Sequence, residues 1–343
     1  MMMFANSSVS SAGIPSEVPI PFAHVAEATE EHHETLKLPK ETVTRQGRVL
    51  KLANHAGFCH GVKKSVNKAF ETAKEAKVQD PYAPVYVLGE LIHNPQMIEK
   101  LRAENILTVQ HLDEVPSGSQ CVIRTHGAPP SLFEEAAARG IQLKDATCPD
   151  VQLVQQKAIQ LAQEGYTVVI VGKAQHPEVI GIMAHAQAIE GATIVAIPRV
   201  EALEAKLAGL PRRRIGVVSQ TTQMEGAFFD MVKALSMIAK ELKVFNTICP
   251  ATYFRQQAAQ ELTQSVEYMV VVGGKNSSNT THLAEVSRDN QVPACHVETA
   301  AALAQVPDLH ETLATVKTIG ITAGASTPDW LVRDVIQYLY ENF

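Results

Sequence analysis

Ala53-Asn-His-Ala-Gly-Phe-Cys59-His-Gly-Val62 carries the first of three cysteines that occupy matching places along the chain. The other two lie in Asp145-Ala-Thr-Cys148-Pro149 and Asn246-Thr-Ile-Cys249-Pro250, 89 and 101 residues further on in turn. A short extended run precedes each one: Arg48-Val-Leu-Lys-Leu-Ala53, Ile141-Gln-Leu-Lys-Asp145 and Lys243-Val-Phe-Asn246. After each, apolar residues recur at helical spacing, as in Val62, Val66, Phe70 and in Val151, Val154, Ala158, Leu161. Each cysteine therefore sits at a strand-to-helix junction. In the second and third copies proline follows directly, at the helix position where a missing N–H costs nothing, so Cys148 and Cys249 are read as N-caps. A thiolate there is expected to be favoured by the positive end of the helix.

Beyond the helix each copy continues with a buried-strand pattern closed by glycine: Val85-Tyr-Val-Leu-Gly89, Val168-Val-Ile-Val-Gly172 and Met269-Val-Val-Val-Gly273. Four residues past each glycine stands a polar residue: His93, His176 and Ser277. A further strand then ends in another polar group, at His126, Thr221 and Ser326. The alternation of strands and helices is that of α/β proteins, and the triplication predicts three pseudo-symmetric repeats, each a small parallel sheet flanked by helices. Open parallel sheets bind ligands at the carboxyl ends of their strands, so three such ends, each with a cysteine, predict one converging site.

At 343 residues, 45% hydrophobic and 19% charged, the chain has the composition of a globular protein of two or three domains. Net charge is −6 and no Lys/Arg cluster stands out, which argues against nucleic acid or an acidic membrane surface as partner. Apolar runs such as Tyr166-Thr-Val-Val-Ile-Val171 are strand-length, too short to span a membrane. Residues 1–46 read as a disordered extension without the basic, apolar or arginine-rich character of a targeting segment, so a cytoplasmic location is expected. The expected divisions are 47–147, 148–246 and 247–330, with a C-terminal helix over 331–343 that packs back on the first third. Five cysteines, odd in number and widely spread, suggest reduced thiols. Cys121 and Cys295 fall inside strand patterns and read as buried apolar residues.

A lone cysteine at a strand end is most often a buried thiol. Three at equivalent repeat positions change that, and the absence of any C-x2-C pair and of a fourth ligand favours an iron-sulfur cluster of the four-iron type over structural zinc. Gly274-Lys-Asn-Ser-Ser-Asn279 lacks the frame of a phosphate loop, yet its hydroxyls and amides precede a helix and suit phosphate oxygens as well as a capped turn. His93, His126, Ser277, Ser278, Asn279 and Ser326 would ring an anion. In His176-Pro-Glu178 the acid is either a first-turn dipole partner or a proton donor beside a bound hydroxyl. No G-x-G-x-x-G follows any strand, so nicotinamide is not indicated.

Nine motifs in order give the chain a family resemblance over residues 48–340: Gly57-Phe-Cys59-His-Gly-Val62, Glu90-Leu-Ile-His93-Asn, Thr125-His126-Gly127, Asp145-Ala-Thr-Cys148-Pro, His176-Pro-Glu178-Val, Gln220-Thr221-Thr222, Ile248-Cys249-x-Ala-Thr252, Lys275-Asn-Ser-Ser-Asn279 and Thr322-Ala-Gly-Ala-Ser326. The chain resembles the 4-hydroxy-3-methylbut-2-enyl diphosphate reductases, the LytB family, which perform the last step of the non-mevalonate isoprenoid pathway. The resemblance implies a trefoil around one [4Fe-4S] cluster, with Cys59, Cys148 and Cys249 as its three ligands and the fourth iron open. It implies that His93, His126, Ser277, Ser278, Asn279 and Ser326 hold an allylic diphosphate. His176, Glu178 and Thr221 would surround its hydroxyl, with Glu178 as proton donor. Electrons would come from a ferredoxin or flavodoxin. Two other readings remain at this point: a triplicated iron-sulfur enzyme similar to quinolinate synthase, acting on a carboxylate, and a non-catalytic iron-sulfur sensor or electron carrier.

Overall fold

The structure, a computed structural model, describes residues 39–343. The first stretch runs β1 (Glu41–Val43), β2 (Val49–Leu52), α1 (His60–Gln79), β3 (Val85–Leu88), α2 (Pro95–Ala103), β4 (Ile106–Val109), β5 (Gln120–Ile123), α3 (Pro130–Ala138) and β6 (Gln142–Asp145). The second runs α4 (Pro149–Gln163), β7 (Thr167–Val171), α5 (Pro177–Gln187), β8 (Thr193–Ile197), α6 (Leu203–Leu207), β9 (Arg214–Ser219), α7 (Glu225–Ser236) and β10 (Glu241–Val244). The third runs α8 (Pro250–Thr263), β11 (Tyr268–Val272), α9 (Ser278–Asp289), β12 (Ala294–Val297), α10 (Ala300–Ala304), α11 (Leu309–Thr315), β13 (Thr318–Ala323) and α12 (Asp329–Asn342).

Three sheets result, with strand orders β4-β3-β5-β6, β8-β7-β9-β10 and β12-β11-β13-β2-β1. Apart from β1 against β2, every pair is parallel. Alternation along β7 shows why the runs are apolar throughout. Val168 and Ile170 face one core, with α4 and α5, while Val169 and Val171 face another, with α7. Helices cover both faces of each sheet, so both sets of side chains leave water.

The repeat is offset from the expected boundaries. In the first two sheets the fourth strand, β6 or β10, comes just before the next cysteine. Among the described residues the third sheet has no such strand after it in sequence. Its place is taken by β2, paired in parallel with β13 through Leu50 and Ile319. Residues 49–52 thus belong to the third sheet and not to the first third. The C-terminal helix follows them: α12 packs Val332, Val335 and Leu339 on Leu50, Leu52, Val270 and Ile321, against the third sheet. In the first two sheets α3 and α7 lead into the fourth strand, and in the third α12 packs beside β2 in the corresponding place. The expected extension also ends sooner. Residues 1–38 lie outside the described residues, but Glu41–Val43 form β1, which covers the otherwise open edge of β2.

Leu339 is fully buried in this core, whereas Leu153 on α4 is 46% exposed. Leu339→Ala is expected to cost about 2–5 kcal/mol and Leu153→Ala no more than about 0.5 kcal/mol. Equal thermal midpoints for the two variants, measured on the same preparation of protein, would remove α12 from the core.

Candidate active site

Each cysteine is placed by the same joint. The backbone N–H of Cys59 donates to the carbonyl of Ala325, that of Cys148 to Thr125 and that of Cys249 to Thr221, each at 3.0 Å. The three acceptors lie just past the C-terminal ends of β13, β5 and β9. Each cysteine also caps a helix, α1, α4 or α8, and the Cys59 and Cys249 sulfurs accept the N–H of Val62 and Thr252 at 3.4 Å. The start of α1 also comes close to the second cysteine. A Cβ on Gly61 would collide with Cys148 Sγ, so the first turn of α1 admits only glycine beside the second cysteine.

All twelve residues singled out from the sequence line one cavity, partly open to solvent: Cys59, Cys148, Cys249, His93, His126, His176, Glu178, Thr221, Ser277, Ser278, Asn279 and Ser326. His93 and His126 stack with ring centroids 4.4 Å apart, and His176 meets both edge-on at 5.5 and 5.4 Å. His176 is the N-cap of α5, its Nδ1 accepting the N–H of Glu178 at 3.2 Å. That bond leaves the ring proton on Nε2 in the neutral form. Burial first, then the neighbouring His93 and Arg124, push the His176 pKa down to about 3. Burial likewise drives His126 well below the usual imidazole range, with His93 and His176 adding to it.

Glu178 is 1% exposed. Its carboxylate accepts the backbone N–H of Thr221 at 2.6 Å and the Thr221 hydroxyl at 2.8 Å, bonds that favour ionisation. Desolvation outweighs them and raises the pKa to about 7. The thiols depart from expectation in the same direction. Burial, then the charges of Asp150 and Cys59, push Cys148 up to about 12 and Cys249 well above the usual thiol range. In the chain alone these effects overcome the helix ends.

Sequence reasoning missed several contributors. Asp150 lines the cavity with its carboxyl pKa raised by burial; two residues after Cys148, it reads in sequence only as a first-turn helix acid. Thr252 Oγ1 lies 3.1 Å from Cys249 Sγ. One Glu90 oxygen holds both His93 Nδ1, at 3.0 Å, and Asn276 Nδ2, at 2.8 Å, tying the first unit to the loop before α9. The bond to His93 is the main reason the Glu90 carboxyl lies below its usual range. Its only sequence signal is its place three residues before His93 in the same motif. Ser326 completes the seam, its hydroxyl donating to the His93 carbonyl at 3.1 Å.

The donor set divides the cavity. At one end lie the three thiols, with Asp150 Oδ2 4.0 Å from Cys148 Sγ; three thiols with no C-x2-C pair suit an iron-sulfur cluster. Nearby, Arg255 is buried with its positive charge close to Cys59 and Cys249, a surrounding that calls for negative sulfur ligands. At the other end His93 Nε2, His126 Nδ1 and both side-chain polar atoms of Asn279 are buried without a protein partner. One ring nitrogen from each of His93, His126 and His176 lies within 4.8 Å of the others, close enough to share a cation. The hydroxyls of Ser277, Ser278 and Ser326 and the N-terminus of α9 share that space, however, and these suit an oxyanion.

Residues 50–340 match the family model described as LytB protein. The chain belongs to the LytB family. It is 41% identical over 290 residues to the 4-hydroxy-3-methylbut-2-enyl diphosphate reductase of Aquifex aeolicus (strain VF5), covering 84% of this chain and 95% of that one. The same enzyme of Geobacter sulfurreducens is 40% identical over 291 residues, covering 84% and 96%. A solved (E)-4-hydroxy-3-methyl-but-2-enyl diphosphate reductase, described as the terminal enzyme of the non-mevalonate pathway, is 39% identical with a TM-score of 0.62 and covers 84% of this chain and 98% of that one. The E-1-hydroxy-2-methyl-but-2-enyl-4-diphosphate reductase of Plasmodium falciparum is 27% identical with a TM-score of 0.77, covering 86% and 90%. The three-sheet LytB fold is therefore that of the family's reductases.

Gly61→Ala is expected to lose most of the iron bound after anaerobic reconstitution while keeping its far-UV spectrum. Gly226→Ala, on α7 where a methyl group meets only open space, serves as the control. Full iron in Gly61→Ala would mean that Cys148 need not stand where the structure puts it.

Proposed function

We propose that this LytB chain reductively removes the hydroxyl of 4-hydroxy-3-methylbut-2-enyl diphosphate, giving isopentenyl and dimethylallyl diphosphate. The reading is carried by one observation: a buried carboxyl with a pKa of about 7 shares a cavity with three converging thiols and a cluster of oxyanion donors. A sensor or electron carrier has no use for such donors. A carboxylate substrate of the quinolinate synthase kind has no counterpart in the relatives' names. The electron donor is a small one-electron carrier of the ferredoxin or flavodoxin class, and the site of action is the cytoplasm, where thiols stay reduced.

Cys59, Cys148 and Cys249 would hold a four-iron cluster, which supplies electrons one at a time and a Lewis acid for the substrate oxygen. The remaining work falls to the chain. His93, His126, Ser277, Ser278, Asn279 and Ser326 hold the diphosphate, with N–H and O–H groups that water would otherwise satisfy. His176, with its proton on Nε2, donates toward the same space. Two electrons and two protons enter in total. The C–O bond breaks, the oxygen leaves as water with one proton, and the other proton is added to carbon at either end of the allyl unit.

Glu178 supplies the proton to the leaving oxygen. When protonated, its bond to Thr221 reverses: Glu178 donates to Thr221 Oγ1, and the threonine hydroxyl donates onward. Only the protonated acid can donate, so turnover falls as pH rises through about 7. Glu178→Gln binds substrate but should lose on the order of 10²- to 10⁴-fold in single-turnover rate, together with that alkaline limb. A near wild-type rate in this variant would take Glu178 out of the chemistry. For the cluster, Cys148→Ser is expected to lose iron and sulfide, whereas Cys121→Ser and Cys295→Ser keep them. Full iron and sulfide in Cys148→Ser would overturn the ligand assignment.

A further inference from the structure

Arg255 lies on α8, six residues after Cys249, and is 3% exposed. Its Nη1 donates to the Ala251 carbonyl at 2.8 Å and its Nη2 to the Gly57 carbonyl at 2.7 Å. Ala251 is two residues past Cys249 and Gly57 two before Cys59, so one planar fork spans the loops of two cysteines. The third nitrogen, Nε, is buried without a partner. A guanidinium keeps its proton in any protein environment, so the charge is permanent.

A buried charge is costly unless it is paired. Among the described residues no carboxylate forms an ion pair with Arg255. The negative charge within its reach is sulfur, at Cys59 and Cys249. Two neutral carbonyls satisfy the geometry of the fork but not its charge.

We propose that Arg255 is the fixed counter-charge of the iron-sulfur centre and holds its reduction potential up. The proposal rests on the reading of Cys59, Cys148 and Cys249 as cluster ligands. Reduction adds one negative charge to a centre already ringed by thiolates in a medium of low dielectric. A permanent positive charge beside two of those ligands favours the reduced form, because net charge near a cluster is one of the determinants of its potential. A small carrier can then reduce the centre with less driving force. The two carbonyl bonds also hold the Cys59 and Cys249 loops in one frame.

The test is a spectroelectrochemical titration of reconstituted holoprotein, with iron and sulfide measured on each sample. Arg255→Met fills similar space without charge. At a fixed potential its ratio of reduced to oxidised centre should fall on the order of tenfold, a shift of about 59 mV to more negative potential for a one-electron couple. Arg255→Lys keeps the charge but not the fork, and should lie near wild type. Arg255→Met loaded in full with an unshifted midpoint overturns the proposal. Should Arg255→Met fail to load, Arg255→Lys decides. Loading at a wild-type midpoint supports the counter-charge, and failure to load shows that the fork, not the charge, is what matters. Wild-type protein that takes up no four-iron centre would instead overturn the underlying ligand reading, whatever the variants do.

Discussion

Three backbone hydrogen bonds of equal length hold the centre of the molecule: from Cys59 to Ala325, from Cys148 to Thr125 and from Cys249 to Thr221. Each joins the start of a helix to the end of a strand, and in all three cases those elements belong to different units. Cys148 opens the second unit yet hangs from the first unit's β5, and Cys249 opens the third yet hangs from β9. The residue accepting the bond, or the one after it, is a cavity residue in every case: His126 follows Thr125, Thr221 accepts directly, and Ser326 follows Ala325. One bond thus sets both a thiol and its neighbouring polar group, which is why three repeats yield a single site.

Water exclusion then sets the chemistry. The same desolvation that lifts Glu178 to about 7 lowers His176 to about 3 and raises Cys148 to about 12, because in each group it disfavours the charged form. The outcomes are useful for different reasons. A carboxyl near 7 is poised to give up a proton. A neutral imidazole with its proton on Nε2 is a donor that does not compete for one. High thiol pKa values mean that deprotonation waits for positive charge at the site. Glu90 stands apart, partly exposed and bonded to His93 and Asn276, and it alone among these acids is held below its usual range.

Much of this was legible in the residues because repetition exposes function. The cysteine-to-glycine spacing of 24 recurs in the second and third copies, and the polar residue four places past each glycine reaches the cavity every time. What escaped is what repetition does not mark. Arg255 has no counterpart in the repeat pattern and an arginine is usually exposed, so only the fold shows that α8 carries it inward. Asp150 looks like an ordinary first-turn acid. The thiol pKa values were misjudged because a helix end is visible in sequence while burial by neighbouring units is not. The place of β2 was misread because a strand just before the first cysteine looks, by proximity, like part of the first unit.

That last point bears on how the ring of units closes. In the first two sheets the fourth strand follows its own unit in sequence, but the third sheet draws on no described strand after α12. Instead β2 pairs with β13, and Arg48, just before β2, bonds the carbonyls of Leu313 and Phe343 at 2.7 and 2.8 Å. The six residues after β2 lead directly to Cys59, whose N–H is held by Ala325 beyond β13. The first cysteine is thus fixed by the last strand of the chain, and α12 buries the face of the sheet that carries this joint. Unlike Cys148 and Cys249, whose strand-end anchors precede them in sequence by 23 and 28 residues, Cys59 meets its anchor across 266 residues. Closing so long a loop is entropically unfavourable and must be offset by the apolar core of the third sheet. The site is therefore complete only with the third unit in place, because the first cysteine hangs from it.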